Sequence, residues 1–266
     1  MESDYGFLDI MHDFLNEKGK LTPLAQGAID KQEGKKLDLS THVKYMIYAQ
    51  LSNGEKWINV EKNIRKIDTV FFGYNIQEIK KHKWEYFYEN IKPLIVRGVS
   101  LKGQMKYLHK NIETLEKIEN DGGLDDFIHS KPPRKIVELF TGKFKLHSMG
   151  VSLVCEYLKS VGVSCVKPDV HVMRFLSKTR RGFLDKPGTR INKKGEIKDT
   201  NWTIKDKYYV LELIENMSLK CGKSETDIDR IIWSFCADGH GEICTKMPKC
   251  KECPVRVGCF YERNRC

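Results

Sequence analysis

Four cysteines fall within one short stretch near the C-terminus. Cys244, Cys250, Cys253 and Cys259 follow the spacing C-x5-C-x2-C-x5-C in "CTKMPKCKECPVRVGC". The stretch has few large apolar residues, so hydrophobic burial cannot fold it, whereas four thiolates closed around an inorganic centre can. Zinc ribbons usually carry two separated C-x2-C knuckles. Here only Cys250 and Cys253 make such a pair, and the flanking gaps suit a loop wrapped around a cubane. A [4Fe–4S] cluster is therefore expected, with zinc as the alternative. Lys246, Lys249, Lys251 and Arg256 sit in the same loop and suit phosphate contact; a solvated basic loop is the plainer reading. Cys155, Cys165, Cys221 and Cys236 lie in apolar surroundings and read as small buried hydrophobes. Nothing assigns a use to Cys266.

The remainder of the 266-residue chain reads as helix, and the fold class is mostly α. "DYGFLDIMHDFLNEKG" puts Phe7, Ile10, Met11 and Phe14 on one helical face before a glycine. "THVKYMIYAQLS" reads as a buried helix. "HKWEYFYENIKPLI" and "KGQMKYLHKNIETLEKIE" follow with helical period. "PPRKIVELFTG" is bracketed by prolines and Gly142. "GVSLVCEYLKSVG" carries Val151, Val154, Leu158 and Val161 in one stripe. "KDKYYVLELIENM" and "SETDIDRIIWSFC" complete the set, the latter with Ser224 and Asp227 as a capping-box pattern. The one strand candidate is 189–203, where Lys194-Gly195 can turn a small hairpin.

Charge is uneven. Residues 1–166 hold 25 basic and 22 acidic side chains, whereas 167–266 hold 21 and 14. A basic C-terminal part points to a polyanionic partner or to a lysine-rich surface. Its densest stretch, 178–198, has eight basic and two acidic residues, and reads as a DNA-contacting insert or a solvated loop. No apolar run approaches the roughly 20 residues of a membrane span. The opening "MESDYGFLDI" is acidic and lacks a secretory pattern. An intracellular protein is expected, cytoplasmic or nucleoid-associated if prokaryotic, with no membrane partner.

The tail "HGEICTKMPKCKECPVRVGC" resembles the iron–sulfur loop of the endonuclease III and adenine-glycosylase branch of the helix-hairpin-helix DNA glycosylases, with a first gap of five residues where six is usual. A second segment, "LHSMGVSLVCEYLKSVGVSCVKPDVHVMRFLSK" (146–178), resembles that family's hairpin, following helix and aspartate strip. Leu146, His147, Ser148, Met149 and Gly150 stand for the hairpin, and Asp169, His171 and Arg174 match D-T-H-x-x-R. "YMIYAQLSN" is similar to the helix whose glutamine fills the gap left by a flipped base, and this aligns Gln50 with that residue.

The resemblance implies a two-lobed fold. A helical barrel is expected over 35–145, the hairpin and aspartate strip over 146–178, and a second lobe from 1–34 with 179–266, which holds the cluster loop 244–259. It implies a monomer that acts in base excision repair on double-stranded DNA carrying a lesion, mispair or modified base. The hairpin, with Ser152 in the next turn, anchors phosphate, Gln50 is the wedge, and Asp169 steadies oxocarbenium character while the N-glycosidic bond breaks. Read without the family, Asp169 is a helix N-cap, Gln50 a polar helix end and the hairpin a packing motif. Three departures carry information. Ser148 replaces a hairpin glycine. Ser152 occupies the slot of the lyase lysine, and Lys143, Lys145 and Lys159 are out of register, so Schiff-base chemistry loses its nucleophile. Met46 stands where adenine glycosylases carry glutamate. A monofunctional glycosylase is the expectation; a bifunctional glycosylase/AP lyase and a non-catalytic DNA-binding protein are the alternatives. Tyr45, Tyr48 and Trp57 are candidates to stack a base or to fill the core. His171 reads as structural.

Overall fold

Two units divide the chain: residues 24–163 form one, and residues 1–23 with 164–266 form the other. The computed structural model describes residues 5–55, 57–96 and 100–263, so Cys266 lies outside the described residues. The chain is mostly helical, as its periodicity requires. Among the described residues, no helix is long and apolar enough to cross a membrane.

The division differs from the expected lobes in two places. Residues 24–34 join the 24–163 unit, because Gly27 lies so close to Tyr45 and to the Ser160 carbonyl that a Cβ there would meet them at 2.5 Å. The 146–178 strip is split, its hairpin in one unit and its aspartate in the other.

The discontinuous unit begins with α1 (Phe7–Glu17). Its buried face is Phe7, Leu8, Met11 and Leu15, a one-position rotation from the expected face that leaves Ile10 49% exposed. The contiguous unit runs through α2 (Gln26–Gln32), α3 (Leu39–Leu51), α4 (Trp57–Lys62), α5 (Ile64–Val70), α6 (Ile76–Lys81), α7 (Trp84–Ile91) and α8 (Leu101–Lys106), then α9 (Leu108–Asn120), α10 (Leu124–His129), α11 (Pro133–Thr141) and α12 (Val151–Ser160). Asp38 caps α3 by accepting from Thr41 N at 2.8 Å, and Asn75 caps α6. The segment expected as one helix over 102–119 is broken at Tyr107 into α8 and α9. Helix α3 is buried on nearly every side and packs on α12 and α9, so it is the core rod of this unit.

A polar network threads that core. Asp125, 2% exposed, accepts from Lys31 Nζ at 2.8 Å and meets both His42 Nε2 and His129 Nε2 at 3.4 Å. His42 Nδ1 is 2.9 Å from the Tyr157 hydroxyl. Burial opposes ionisation of Asp125, but the nearby His42 ring and the Lys31 ammonium outweigh it and hold the carboxyl well below the usual range.

The discontinuous unit resumes with α13 (Val170–Leu176), a ribbon of β1 (Thr189–Ile191) and β2 (Ile197–Asp199), α14 (Ile204–Cys221), α15 (Glu225–Cys236) and α16 (Phe260–Arg263). The full capping box falls on α14, where Thr203 and Asp206 bond reciprocally. Ser224 caps α15. Helix α1 lies against α15: Thr22 meets the Ser234 hydroxyl through N at 3.0 Å and through Oγ1 at 2.7 Å, and Arg230 donates to the Thr22 carbonyl.

Candidate nucleic-acid and metal sites

The hairpin after α11 is a tight turn in which Met149 N donates to the Leu146 carbonyl at 3.2 Å. Leu146 is fully buried and anchors it. Ser148 has φ +57°, the left-handed conformation that favours glycine. The serine therefore keeps a glycine-like backbone, at a cost of about 1–2 kcal/mol. Asn111 of α9, fully buried, holds the turn from behind. It donates from Nδ2 to the His147 carbonyl at 3.0 Å, and its Oδ1 accepts from His147 N at 2.6 Å. The His147 ring stacks on Tyr107 at 4.8 Å. Desolvation, then repulsion from Lys110 and Lys145, lowers the His147 pKa. Gly150 begins α12 without a side-chain cap, so the first N–H groups of α12 receive no capping side chain from Gly150. Ser152 sits half-buried in that first turn.

Gln50 ends α3 fully buried. Its carbonyl accepts from Gln104 Nε2 at 2.7 Å, but its own side-chain Nε2 and Oε1 have no hydrogen-bond partner. Each buried orphan group costs about 1–3 kcal/mol. Insertion into a duplex requires Gln50 to leave this position. Tyr45 and Tyr48 are built into the core: the Tyr45 hydroxyl accepts from Gly27 N at 2.7 Å, and Tyr48 and Tyr74 both donate to Asp68 Oδ1. Trp57 packs edge-on against Tyr48. Phe72, Gly73 and Tyr74 all have positive φ, a succession of left-handed residues ahead of the Tyr74 hydroxyl's bond to Asp68.

Asp169 is the N-cap of α13. Its Oδ1 accepts from His171 N at 2.8 Å and Val172 N at 3.2 Å. Oδ2 takes no hydrogen bond among the described residues. The cap fixes the carboxylate while leaving one oxygen uncommitted. His171 packs edge-on against Trp233, and burial lowers its pKa.

In the cysteine loop, none of the four thiols is in a disulfide. Burial, then repulsion from Cys244, Cys259 and Cys250, pushes the Cys253 thiol up to about 11. The four thus feel one another's charge, although among the described residues no three His, Cys, Asp or Glu side chains are drawn together as a metal-holding group. Cys236 is fully buried, as its apolar neighbours imply, and its thiol lies near enough to bring Cys244 down to about 7. Cys221 is only partly buried.

Arginines 174, 180 and 181 do not face solvent. Arg174 donates to the Cys244 carbonyl, Arg180 Nη2 to the Thr245 carbonyl and Arg181 to the Val255 carbonyl. Arg174 is neutralised by Asp199 at 2.9 Å. Arg180 is 1% exposed, stacks over Tyr261, and leaves Nε and Nη1 without a partner. A guanidinium buried so deeply stays charged and needs an anion. Among the described residues no carboxylate supplies it. Four thiolates around an inorganic centre would carry the missing negative charge, so the donor set and its cationic surroundings fit such a group.

Comparison with known protein families, with characterised proteins and with solved structures finds no match to this chain. Three contributors had no sequence signal that pointed to them. Asn111 is an ordinary helix residue until the fold sets it behind the hairpin. Arg180 sits in a run of basic residues that reads as surface. Cys236 precedes Cys244 by eight positions and lies outside the loop spacing.

Proposed function

We propose that the protein is a monofunctional DNA glycosylase of the helix-hairpin-helix type, which hydrolyses the N-glycosidic bond of a flipped, altered base with water. The observation that carries this reading is Asp169, a capped carboxylate with one free oxygen in the register where the resemblance places the catalytic aspartate. Bond breaking leaves positive charge on the sugar; a fixed carboxylate stabilises it and orients the attacking water. The hairpin supports the reading, because Ser148 adopts the backbone that a glycine would. It presents the start of α12, whose orphan N–H groups suit a phosphate. Ser152 offers a hydroxyl and no amine, so the abasic product is left uncut.

Cys244, Cys250, Cys253 and Cys259 would hold a [4Fe–4S] cluster with Arg180 as its counter-cation. Such a cluster, when bound, supplies a fixed anionic staple for a loop that has no hydrophobic core of its own.

The test is incubation with duplexes that each carry one altered base, followed by alkali. Abasic product is expected, with Asp169→Asn slower by about 10²–10⁴-fold. Wild-type rates in Asp169→Asn would overturn the reading, and strand breaks before alkali would overturn its monofunctional part.

A further inference from the structure

The β1–β2 ribbon breaks two rules of sheet stability. Its register pairs Ile191 with Ile197 and Arg190 with Lys198. Directly paired residues share a face, so one face carries two isoleucines and the other two cations. Neither face is covered: Ile191 is 75% and Ile197 43% exposed, and Arg190 and Lys198 are exposed too. Like charges directly opposite destabilise a ribbon, and two strands alone are marginal in water. Local features that oppose stability are expected at functional sites.

The ribbon is nonetheless rigidly built. Asn192 Oδ1 closes the tip by accepting from Lys194 N and Glu196 N, both at 2.9 Å, and Gly195 takes the left-handed turn position. At the root, Asp199 bonds Arg174, and Thr200 bonds the carbonyls of Pro187 and, through its N–H, Gly188. Gly188 lies so near Ser177 and Arg174 that a Cβ would meet them at 2.7–2.9 Å. The ribbon thus stands on Arg174 of α13, the helix that Asp169 caps.

Its charge is one-sided. Arg190, Lys193 and Lys194 have no carboxylate partner among the described residues, and Glu196 is taken by Lys198 at 3.0 Å and by Asn192. We infer that the Thr189–Asp199 ribbon is a DNA-binding arm whose cationic face, Arg190 and Lys198, lies with the tip lysines Lys193 and Lys194 on the phosphates of duplex DNA, the isoleucine face turned away. The partner is duplex DNA because the cations complement a polyanion. This rests on the glycosylase reading, since it assumes that the chain meets DNA.

The test is binding of the full-length chain to a lesion-free duplex between about 50 and 200 mM salt, where each phosphate contact adds roughly 0.9 to the log–log slope. The quadruple variant Arg190→Gln, Lys193→Gln, Lys194→Gln, Lys198→Gln should lower the slope by roughly 3 to 4. The pair Ile191→Ser, Ile197→Ser, on the opposite face, should leave both binding and slope unchanged. All these side chains are exposed, so melting temperature should stay at the wild-type value; single variants report the same loss in smaller steps if it does not. A wild-type chain that binds duplex together with a quadruple variant of unchanged slope overturns the arm and leaves the glycosylase reading standing. A wild-type chain that ignores DNA overturns both. Loss of binding to phosphatidylserine vesicles with duplex binding intact would assign the ribbon to a membrane surface and overturn the arm.

Discussion

Each unit buries a charged cluster, and the two clusters are finished in opposite ways. In residues 24–163, the Asp125 carboxylate is met by Lys31, His42 and His129, so protein groups answer protein charge. In the other unit, Arg180 is as deeply buried but keeps two N–H groups unanswered and has no carboxylate partner among the described residues. Opposite charges that meet lock helices together, even where single atoms such as Asp125 Oδ1 and His42 Nε2 make no hydrogen bond. A buried charge with no opposite partner is where an anion from outside the polypeptide would belong. Burial alone does not separate scaffold from site; the balance of donors and acceptors does.

The sharpest way to break this contrast is to delete one charge on each side. Asp125→Ala leaves Lys31 and two histidines without their carboxylate, and should cost about 3–5 kcal/mol in denaturant unfolding. A loss under about 1 kcal/mol would mean that the network is incidental. With the proposed cluster in the loop, Arg180→Met should behave differently in the two metal states. Stripped of iron by a chelator, the variant should be as stable as wild type or gain about 1–4 kcal/mol, because an unpaired buried charge is gone. With iron bound, it should lose iron faster than wild type, read as bleaching of visible absorbance. The same sign in both states would show that Arg180 answers no cluster.

The two units should also respond oppositely to pH. Burial lowers the His129 pKa, and Asp125 is held low by its partners. A depressed group stabilises the fold above its unfolded value and loses that contribution as pH falls through its folded value. Residues 24–163 should therefore weaken below about pH 6.5, first through His129 and then, below about pH 4, through Asp125. Glu225 in the other unit is pushed up to about 7 by burial and by Glu215. Its contribution is whole below about pH 4.5 and is lost as pH rises through about 7. Hydrogen exchange resolved by segment at pH 5 and pH 8 would read both trends. The smallest effect concerns the hairpin. Ser148→Gly relieves a left-handed serine against the added freedom of the unfolded glycine, for a net gain of about 0.5 kcal/mol in thermal unfolding.

Much of the architecture was legible because its signals are local. Proline and glycine bracket α11, and the Lys194-Gly195 turn marks the ribbon, both from the identities of a few neighbours. The break at Tyr107 was not legible, since nothing in the apolar period of 102–119 interrupts the helix. Asp169 was legible as a cap from its place before "VHVMRFL". The depth of Arg174 and Arg180 was not, because an arginine beside other basic residues looks solvated until the chain folds the cysteine loop over it. Cys236 was legible as a core residue from its apolar neighbours, but its effect on Cys244 depends on contact between α15 and the loop that follows.

The pairing of α1 with α15 has a consequence for synthesis. Residues 24–163 are continuous in sequence. Helix α1, by contrast, packs on α15, and Thr22 just after it finds Ser234 and Arg230 only some two hundred residues later. Its oily side chains must stay shielded through that interval, so a nascent chain stalled anywhere before α15 should be the form that chaperones hold and proteases cut.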